Sequence, residues 1–428
     1  MLTNILYRKG SKDCPRMDNN DPLGHFRKHF YLKKDVNYMC GNSLGLASKE
    51  AEEEILNVLQ QWKTEGVNIW HIDKCKYLKY SGNLAELMAP LVGADKDEIA
   101  IANSTTVNIH QMIATFYKPT RSKFKILVDD VNFPTDRYAV DGQVRLKGYD
   151  PKAAVKVVKA QGRFLKEDDI INAMSSDVAL ILLPTVLYRT SQVLDMKKVT
   201  SAAKSRGILI GWDLCHAVGA LEIDLKSLDA DFAVWCTYKY LNGGPGSPAA
   251  MYINRRHFSL MPGLPGWYGN KIDTQFQLRQ EFDHQKDASG LQIGTPTLLA
   301  MAGLEGSLKV FEKAGMEQIR KKSLHITGYM VFLVENKLKE YGFAVGNPRE
   351  DRQRGGHVCL EHPEGYRISL VLKERGLVSD FREPNVIRLT PAALYTTYEQ
   401  VYDLADVLLD IMTTKCYLDY SSKRSLVV

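Results

Sequence analysis

Strand and helix signals alternate through the middle of this chain, and that alternation restricts the fold more than any other feature of the sequence. Short apolar segments rich in β-branched and aromatic residues predict strands at 124–128, 178–183, 208–212, 232–236 and 249–253. Between the second and third of these, residues 195–206 have the pattern of a capped helix that Gly207 closes. Strands that alternate with helices form a mostly parallel sheet covered on both faces, so we expect an α/β fold.

A lysine follows the strand predicted at 232–236 and precedes a glycine-rich segment. Lys239 comes after Thr237 and Tyr238, and glycines recur through 243–246. Ligands of open α/β sheets bind beyond the carboxyl ends of the strands, which is where this lysine is expected. Burial there would disfavour the charged amine, and a neutral amine can form a Schiff base with an aldehyde. Most lysines at strand ends are ordinary surface residues, so Lys239 alone does not establish a site.

The other predicted strands also end in polar residues. Asn132 and Asp136 follow the first strand, Thr185 follows the second, and Asp213 and His216 follow the third. Pyridoxal phosphate requires a lysine for its aldehyde and a carboxylate that keeps its ring nitrogen protonated. Asp213 and the lysine have the order and spacing that this cofactor needs.

A possible phosphate site precedes these strands in the chain. Ser104, Thr105 and Thr106 fall at the predicted start of a helix. Hydroxyl groups and free backbone N–H groups at a helix N-terminus can bind phosphate, although an ordinary N-cap explains the same pattern equally well. Together with the lysine and the carboxylate, this segment predicts a pyridoxal phosphate site.

The chain divides by pattern into three parts. We predict an N-terminal arm at 1–45 that packs on the small domain, a large cofactor-binding domain at 46–300 and a small α+β domain at 301–428. In the small domain we expect a long helical segment at 298–338, strands at 343–345, 357–360, 368–372 and 386–389, and a helix at 398–412. The last residues, 421–428, are expected to fray.

Composition excludes several classes of protein. The net charge of +6 is spread along the chain, so nucleic-acid binding has no support. The seven cysteines form no Cys-x-x-Cys pair, which argues against a zinc site and a disulfide framework. No apolar run is long enough to span a membrane and no signal-peptide core is evident, so we expect a cytoplasmic protein.

Segments from one end of the chain to the other resemble kynureninase, a pyridoxal-phosphate hydrolase of the aspartate-aminotransferase fold (fold type I). They are Gly-Asn-Ser-Leu-Gly at 41–45, Asn-Ser-Thr-Thr-Val-Asn at 103–108, Phe-Pro-Thr-Asp at 133–136, Asp-Leu-Cys-His at 213–216, Tyr-Lys-Tyr-Leu-Asn at 238–242, Gly-Trp-Tyr-Gly at 266–269 and Ile-Arg at 387–388. The resemblance implies hydrolysis of L-kynurenine to anthranilate and L-alanine in tryptophan breakdown and NAD synthesis. It also implies slower cleavage of 3-hydroxykynurenine.

The resemblance implies roles for the residues around the cofactor ring. Lys239 would hold pyridoxal phosphate and move the Cα proton, while Asp213 would face the ring nitrogen and His216 would support it. Phe133 would stack on the ring, and Asp136 would orient nearby polar groups.

The resemblance also implies how the cofactor phosphate is bound. Thr105, Thr106 and Tyr238 would contact it, joined by Trp267 and Thr295 from the second subunit of a homodimer. Tyr238 is in addition our candidate proton donor, since a phenol close to the cofactor can act as an acid.

Five residues are expected to take part in binding and selecting the substrate. Arg388 would bind the α-carboxylate as a planar two-pronged donor, with Asn42 close by. Trp70 and the pair Gly294 and Thr295 resemble the bacterial branch of the family, which favours kynurenine; the animal branch has His and Ser-Asn there. A tryptophan offers no hydrogen-bond partner to an extra hydroxyl group.

The chain departs from the family pattern at one position, and three of the site residues also have structural interpretations. Pro184 stands where animal relatives carry a serine, so a contact from that loop must come from Thr185. Structural interpretations are a buried aromatic for Trp267, a structural histidine for His216 and a surface ion pair for Arg388.

Two other functions compete with this prediction. A cysteine desulfurase or selenocysteine lyase has the same fold, but it typically has histidine where Tyr238 stands and needs a mobile nucleophilic cysteine. Cys359 has the pattern of a buried strand residue instead. A non-catalytic binding protein of this fold is expected to lose Lys239, Asp213 or Arg388, and all three are present.

Overall fold

The computed structural model describes residues 14–424, so the first thirteen residues of the predicted arm and residues 425–428 of the predicted frayed end lie outside it. The longer helices are α1 (Lys49–Glu65), α2 (Tyr80–Val92), α3 (Thr105–Phe116), α4 (Pro134–Leu146), α5 (Met196–Ser205), α6 (Leu298–Ala314), α7 (Met316–Lys337), α8 (Gly365–Glu374) and α9 (Tyr398–Thr414). Short helices occupy Cys14–Asn19, Ile72–Cys75, Pro151–Ala154, Glu167–Asn172 and Leu225–Leu228.

A seven-stranded sheet forms the centre of the larger part of the molecule. Its strands are β1 (Ile99–Ile101), β2 (Lys125–Asp129), β3 (Val155–Val158), β4 (Val178–Pro184), β5 (Leu209–Asp213), β6 (Phe232–Trp235) and β7 (Ala250–Ile253). They lie in the order β1-β7-β6-β5-β4-β2-β3, and only β7 runs antiparallel to its neighbours. The predicted mostly parallel sheet is confirmed, and the five predicted strands match within two residues at each end. Strand β3 was not predicted.

Burial explains why these segments become strands. Every side chain of β1, β6 and β7 is buried, and β4 is buried except at one position. Apolar residues cover both faces because helices pack on both, which is the environment of a central parallel strand. The β2, β4, β5 and β6 strands run parallel to one another, so their carboxyl ends share one edge.

The C-terminal part is a smaller α+β unit. Its antiparallel sheet contains β8 (Ala344–Val345), β9 (Val358–Glu361), β10 (Asp380–Arg382) and β11 (Val386–Leu389) in the order β10-β11-β9-β8. The strand predicted at 368–372 is wrong, because Ile368, Val371 and Leu372 are buried on one face of helix α8. The single long helix predicted from 298 is interrupted at Gly315, which has a φ of 74°.

The described part of the N-terminal arm packs against this smaller unit. Cys14 is buried in its core beside Tyr329, and its sulfur lies 3.0 Å from the tyrosine hydroxyl. Asn37–Tyr38 pairs in parallel with Leu377–Val378. These contacts are of the kind expected for an arm that packs on the small domain. The domain bounds 1–45, 46–300 and 301–428 stay predictions.

A search of residues 14–424 for membrane spans gives a negative result. No helix in that range combines the length and the apolar character that crossing a bilayer requires.

Candidate active site

Lys239 lies in a tight turn that follows β6 at the carboxyl edge of the central sheet. Its Nζ is 3.3 Å from Nε2 of His216, which follows β5. The backbone N–H of Gly45 donates to the carbonyl of Tyr238 at 2.8 Å, so the arm reaches this turn directly. A Cβ atom at Gly45 would lie 2.4 Å from the carbonyl oxygen of Lys239 and 2.1 Å from the side chain of Asn242. Only glycine therefore allows the arm to approach the lysine so closely.

The electrostatics of the lysine differ from the sequence-based expectation. Burial alone would lower the pKa of Lys239, but the acidic groups around it, Cys236 first and Asp213 among them, raise it above the usual value. Burial, and then the charge of Lys239, lower the pKa of His216 well below its usual range. His216 is consequently neutral, and its Nε2 accepts a hydrogen bond from the charged amine. Burial thus disfavours the charged amine as expected, but the neighbouring groups outweigh it and keep the amine charged.

Three buried aspartates lie at this edge of the sheet. Asp213 ends β5, and its carboxylate accepts the backbone N–H of Cys215 at 2.8 Å. Burial, and then the charge of Asp213, raise the pKa of Asp136 well above its usual range, and burial raises that of Asp129 to about 6. Asn132 donates to Oδ2 of Asp136 at 2.6 Å. Carboxyl groups so close together favour a cationic group between them.

The predicted phosphate segment begins helix α3. Ser104 is the N-cap, as its hydroxyl accepts the backbone N–H of Val107, and Thr105 is the first helical residue. The Thr106 hydroxyl is 2.8 Å from that of Thr135 at the start of α4, and Thr105 Oγ1 is 4.0 Å from the sulfur of Cys215. Both threonines therefore face the edge of the sheet where Lys239 lies.

Phe133 precedes helix α4 and is half exposed, so one face of its ring is available for stacking. Its ring meets that of Tyr188 edge to face at 5.7 Å between centroids. The guanidinium carbon of Arg388 lies 5.8 Å from the centre of the same tyrosine ring. Tyr188 thus connects the proposed ring-stacking residue with the proposed carboxylate-binding residue.

Arg388 is buried in β11, which rules out the alternative of a surface ion pair. It forms a salt bridge with Asp380, and its Nη1 donates to the carbonyl of Tyr188 at 3.1 Å. Its Nη2 donates to the hydroxyl of Ser43 at 3.2 Å. Hydrogen bonding favours the amide orientation of Asn42 in which the oxygen accepts from Arg388 at 3.3 Å. Asn42 and Arg388, both predicted for the substrate, are therefore in contact.

Other predicted residues are not brought to the lysine by the contacts of this chain. Trp267 is 42% exposed, its indole N–H donates to the carbonyl of Gln275 at 3.3 Å, and its ring packs edge to face on Phe276. The buried-aromatic alternative for Trp267 is wrong, although its N–H is satisfied. Gly294 and Thr295 are also exposed.

Neither Trp70 nor Thr185, which follows Pro184, makes a described hydrogen bond to the lysine turn. Trp70 ends the short 3₁₀ helix Gly66–Trp70 and packs half-buried against the main core. The hydroxyl of Thr185 points to the sulfur of Met196 at 3.1 Å, so its described hydrogen bond leads away from the lysine.

The sequence assigns no role to four polar residues near the site. Asp129, His357 and Asp380 are buried, and Ser43 is half-buried. Asp380 and Arg388 are directly opposite each other in the pairing of β10 with β11, so the spacing of oppositely charged residues in this hairpin could have revealed the pair. His357 gave no signal because a single histidine beside a strand is usually structural.

The polar atoms at this edge fit pyridoxal phosphate. Among the described residues, Oδ1 of Asp136 and Nδ1 of His216 are buried without a hydrogen-bond partner. Unsatisfied buried polar atoms are costly, so their position around Lys239 indicates that a polar group belongs there. Asp213 would face the ring nitrogen, Asp136 would orient polar groups beside it, and the start of α3 would hold the phosphate.

Comparison with solved structures supports the fold. A cystine C–S lyase in complex with its product cysteine persulfide has a TM-score of 0.77 at 16% identity, covering 88% of this chain and 98% of that one. A cysteine desulfurase from Thermococcus onnurineus also gives 0.77 at 16%, covering 91% and 98%. This similarity confirms the predicted fold type I of pyridoxal-phosphate enzymes. A desulfurase reaction is not supported, because Cys359 is fully buried in β9 and burial raises its pKa to about 12.

Sequence relatives are far closer. Residues 319–408 match the family described as Kynureninase C-terminal domain. The kynureninase of Geobacillus thermodenitrificans is 48% identical over 413 residues, and that of Bacillus thuringiensis subsp. konkukian is 49% identical over 411 residues. Each match covers 96% of this chain and 96% of the relative. Identity at this level over nearly the whole length, together with the lysine, aspartate and arginine of the site, shows that the chain belongs to the kynureninase family.

Proposed function

We propose that the chain hydrolyses L-kynurenine to anthranilate and L-alanine, with the residues at the edge of the central sheet in the roles given below. The observation that carries the proposal is the convergence of Lys239, Asp213 and Arg388 in a chain that is similar to kynureninases over 96% of its length. Pyridoxal phosphate, when bound, supplies the electron sink that accepts the electron pair of the substrate Cα.

The roles of the residues follow from their charge and hydrogen bonding. Arg388 binds the substrate α-carboxylate with its planar donors and thereby fixes the Cα–H bond over Lys239. Lys239 accepts this proton as a neutral amine, after giving up the proton that it holds beside His216, and later returns one. Asp213 would face the ring nitrogen of the cofactor and accept its N–H, and Asp136 would orient polar groups beside it.

Tyr238 is the proposed proton donor of the later steps. Burial, and then Cys236, raise the pKa of Tyr238 to about 12, so the phenol keeps its proton at neutral pH. A proton held until the carbon–carbon bond breaks can be delivered to the carbon that anthranilate leaves behind. His216, neutral and buried, keeps the lysine amine in place between these steps.

The substrate preference follows from the wall that Trp70 provides. An indole offers no acceptor at its ring face for the additional hydroxyl group of 3-hydroxykynurenine, so kynurenine should have the higher kcat/KM. Turnover of the two substrates, measured side by side, tests this prediction. A clear preference for the hydroxylated substrate would exclude the bacterial pattern assigned to Trp70, Gly294 and Thr295.

We also propose a cytoplasmic homodimer in which each subunit contributes to the site of the other, with small molecules as its only ligands. The support is the exposure of Trp267, Phe276 and Leu278, apolar residues close together in sequence that a second copy would cover. Trp267 and Thr295 would then contact the phosphate bound by the partner.

The direct test is an absorbance spectrum of the purified protein, followed by anthranilate fluorescence after addition of L-kynurenine. A yellow protein that releases anthranilate is the expected result. A yellow protein inactive on kynurenine and on its 3-hydroxy form would contradict the reaction while leaving the lysine site intact. A protein that stays colourless with added cofactor would contradict the site itself.

A further inference from the structure

A second buried histidine, His357, lies at the boundary between the two sheets and has no part in the roles proposed above. It directly precedes β9 of the small sheet and is fully buried. Its Nε2 is 3.1 Å from the carbonyl oxygen of Tyr188, and its Nδ1 is 3.0 Å from the hydroxyl of Tyr240. The ring centroid is 5.5 Å from that of His216.

The hydrogen bonds determine the tautomer of this ring. A carbonyl oxygen can only accept, so Nε2 carries the proton and donates to Tyr188. Nδ1 is therefore an acceptor, and the Tyr240 hydroxyl donates to it, with the hydroxyl of Ser191 3.3 Å away. Burial, and next the charge of Arg388, lower the pKa of His357 to about 3, so the ring is neutral at every pH at which an enzyme of this kind works. The charged groups that face it are Arg388, Asp380 and Lys239.

One side of the ring is connected to the lysine. Tyr240 is next to Lys239 in the turn, and its ring is buried against the backbone before His357: a Cβ atom at Gly356 would lie 3.0 Å from it. The hydrogen bond from the Tyr240 hydroxyl to Nδ1 of His357 fixes the direction of the Tyr240 side chain. Because Tyr240 and Lys239 are consecutive residues, it also fixes the turn that carries the lysine. His357 also packs on His216, whose Nε2 holds the lysine amine.

The other side is connected to the arginine. The Tyr188 carbonyl accepts two hydrogen bonds, one from Nε2 of His357 and one from Nη1 of Arg388 at 3.1 Å. A carbonyl oxygen has two lone pairs, so both donors are accommodated only while the carbonyl keeps its direction. His357 thereby helps to hold the guanidinium that would receive the substrate carboxylate.

We infer that His357 is a positioning residue that keeps Lys239 and Arg388 at a fixed separation through its hydrogen bonds to Tyr240 and to the Tyr188 carbonyl. The inference rests on the proposed roles of that lysine and that arginine. A neutral ring suits the task, because it can donate at one nitrogen and accept at the other without adding charge beside the arginine. A displacement of about 1 Å between reacting groups can lower a rate roughly a hundredfold, so even a small movement is measurable.

Two substitutions separate the two hydrogen bonds of the ring. His357→Gln keeps a donor near the position of Nε2 but loses the acceptor for Tyr240. We expect kcat to fall about tenfold and the pH midpoint of the bound cofactor's absorbance to shift, with KM nearly unchanged. His357→Asn keeps an acceptor near Nδ1 but loses the donor to Tyr188. Here we expect the KM for kynurenine to rise about tenfold.

His362 provides a matched control within the same small sheet. It is also buried, its Nε2 is 3.0 Å from the carbonyl of Tyr341, and its Nδ1 accepts the backbone N–H of Glu364 at 3.0 Å. His362→Gln and His362→Asn should lower the melting temperature to a similar degree and leave kcat, KM and the absorbance midpoint unchanged. Tyr240→Phe, which keeps the ring and removes only the hydroxyl, should reproduce the effect of His357→Gln even if that variant folds poorly.

The results separate this inference from the proposed function. A wild-type protein that releases no anthranilate would contradict the function. The positioning role would be overturned if the wild type is active while the His357 and Tyr240 variants keep kcat and KM within about threefold of it and the same pH midpoint. A change of more than about threefold in kcat or KM of the His357 variants that is absent from both His362 variants supports the role, whereas an equal change in the His362 variants would overturn it. A fall in kcat then identifies the bond to Tyr240, and a rise in KM identifies the bond to Tyr188.

Discussion

Asp129, at the end of β2, shows what burial does to a single carboxyl group in this site. Its Oδ1 accepts the backbone N–H of Val131 at 2.9 Å, while its Oδ2 is buried without a partner among residues 14–424. Burial raises its pKa from 3.8 to about 6, so the folded state binds a proton more tightly than the unfolded chain does. The stability that this proton provides is present below about pH 4 and is lost as the pH rises to about 6.

We predict that Asp129→Asn removes this pH dependence. Relative to the wild type, the free energy of unfolding of the variant should increase between pH 4 and pH 8, by at most about 3 kcal/mol. Urea unfolding of the cofactor-loaded protein at one protein concentration measures the difference. Asp130→Asn is the control, because Asp130 is the exposed neighbour and its carboxylate accepts the N–H of Ala160. An identical pH dependence in the Asp129 variant and the wild type would contradict the prediction.

The sequence predicts which residues form most of the site, but it does not predict how their pKa values are shifted. Lys239, Asp213 and Arg388 are recognisable because each is a chemically demanding residue type in a characteristic motif. The raised pKa of Lys239 depends on groups such as Cys236 whose distance only the fold determines. Burial of His357 depends on contacts between segments more than 160 residues apart, which no local pattern reveals.

Helix α9 shows how one element depends on a distant one. Its first backbone N–H groups, those of Tyr398 and Glu399, donate to the carboxylate of Asp18 at 2.7 and 3.1 Å. Thr397 is the N-cap of the same first turn, and its hydroxyl accepts the N–H of Gln400. An anion at a helix N-terminus both satisfies free donors and complements the helix dipole. The arm therefore stabilises α9 from outside the helix.

We predict that Asp18→Ala lowers the free energy of unfolding by about 1–2 kcal/mol, since two donors lose their acceptor. Asp18→Asn keeps one acceptor and loses the charge, so its loss should be about half as large. Thermal or urea unfolding of both variants gives the comparison. If the alanine variant is as stable as the wild type, the arm does not stabilise α9.

Elements also show where local patterns fail. The apolar run at 368–372 fits a strand and a buried helix face equally well, and packing on α9 and the small sheet decides for α8. Strand β3 escapes prediction because its middle residues, Lys156 and Val157, are only partly buried at the edge of the sheet. Strands with both faces covered, such as β6, were found because burial itself makes them continuously apolar.

The side chains of Trp267 and Thr295 are exposed in the single chain. Both belong to conspicuous motifs, yet the described contacts of Trp267 within one chain are with its own neighbours at 268, 270, 275 and 276. A residue that acts on its own chain's cofactor should approach the lysine turn. A shared site in a symmetric dimer explains both the exposure and the motif.

Mixing two inactive variants tests this arrangement. Lys239→Ala removes the lysine, and Trp267→Ala removes the indole, so each homodimer should be nearly inactive. If the indole acts across the dimer, a mixed dimer contains one site with both substitutions and one site with neither. Refolding equal amounts together should therefore restore about one quarter of the wild-type release of anthranilate, because about half of the dimers are mixed and each has one intact site.

The control for this experiment combines both substitutions in one chain and mixes it with wild-type chains. In that mixed dimer, an indole that acts across the interface leaves each site with one defect, whereas an indole that acts within its own chain leaves one site intact. If the indole acts across the interface, mixed dimers of the two single variants are therefore active and mixed dimers of the double variant with wild type are inactive. If it acts within its own chain, the reverse holds. Activity in the control mixture above that of its wild-type homodimers, with none in the mixture of single variants, would place Trp267 in the site of its own chain and would contradict the shared site.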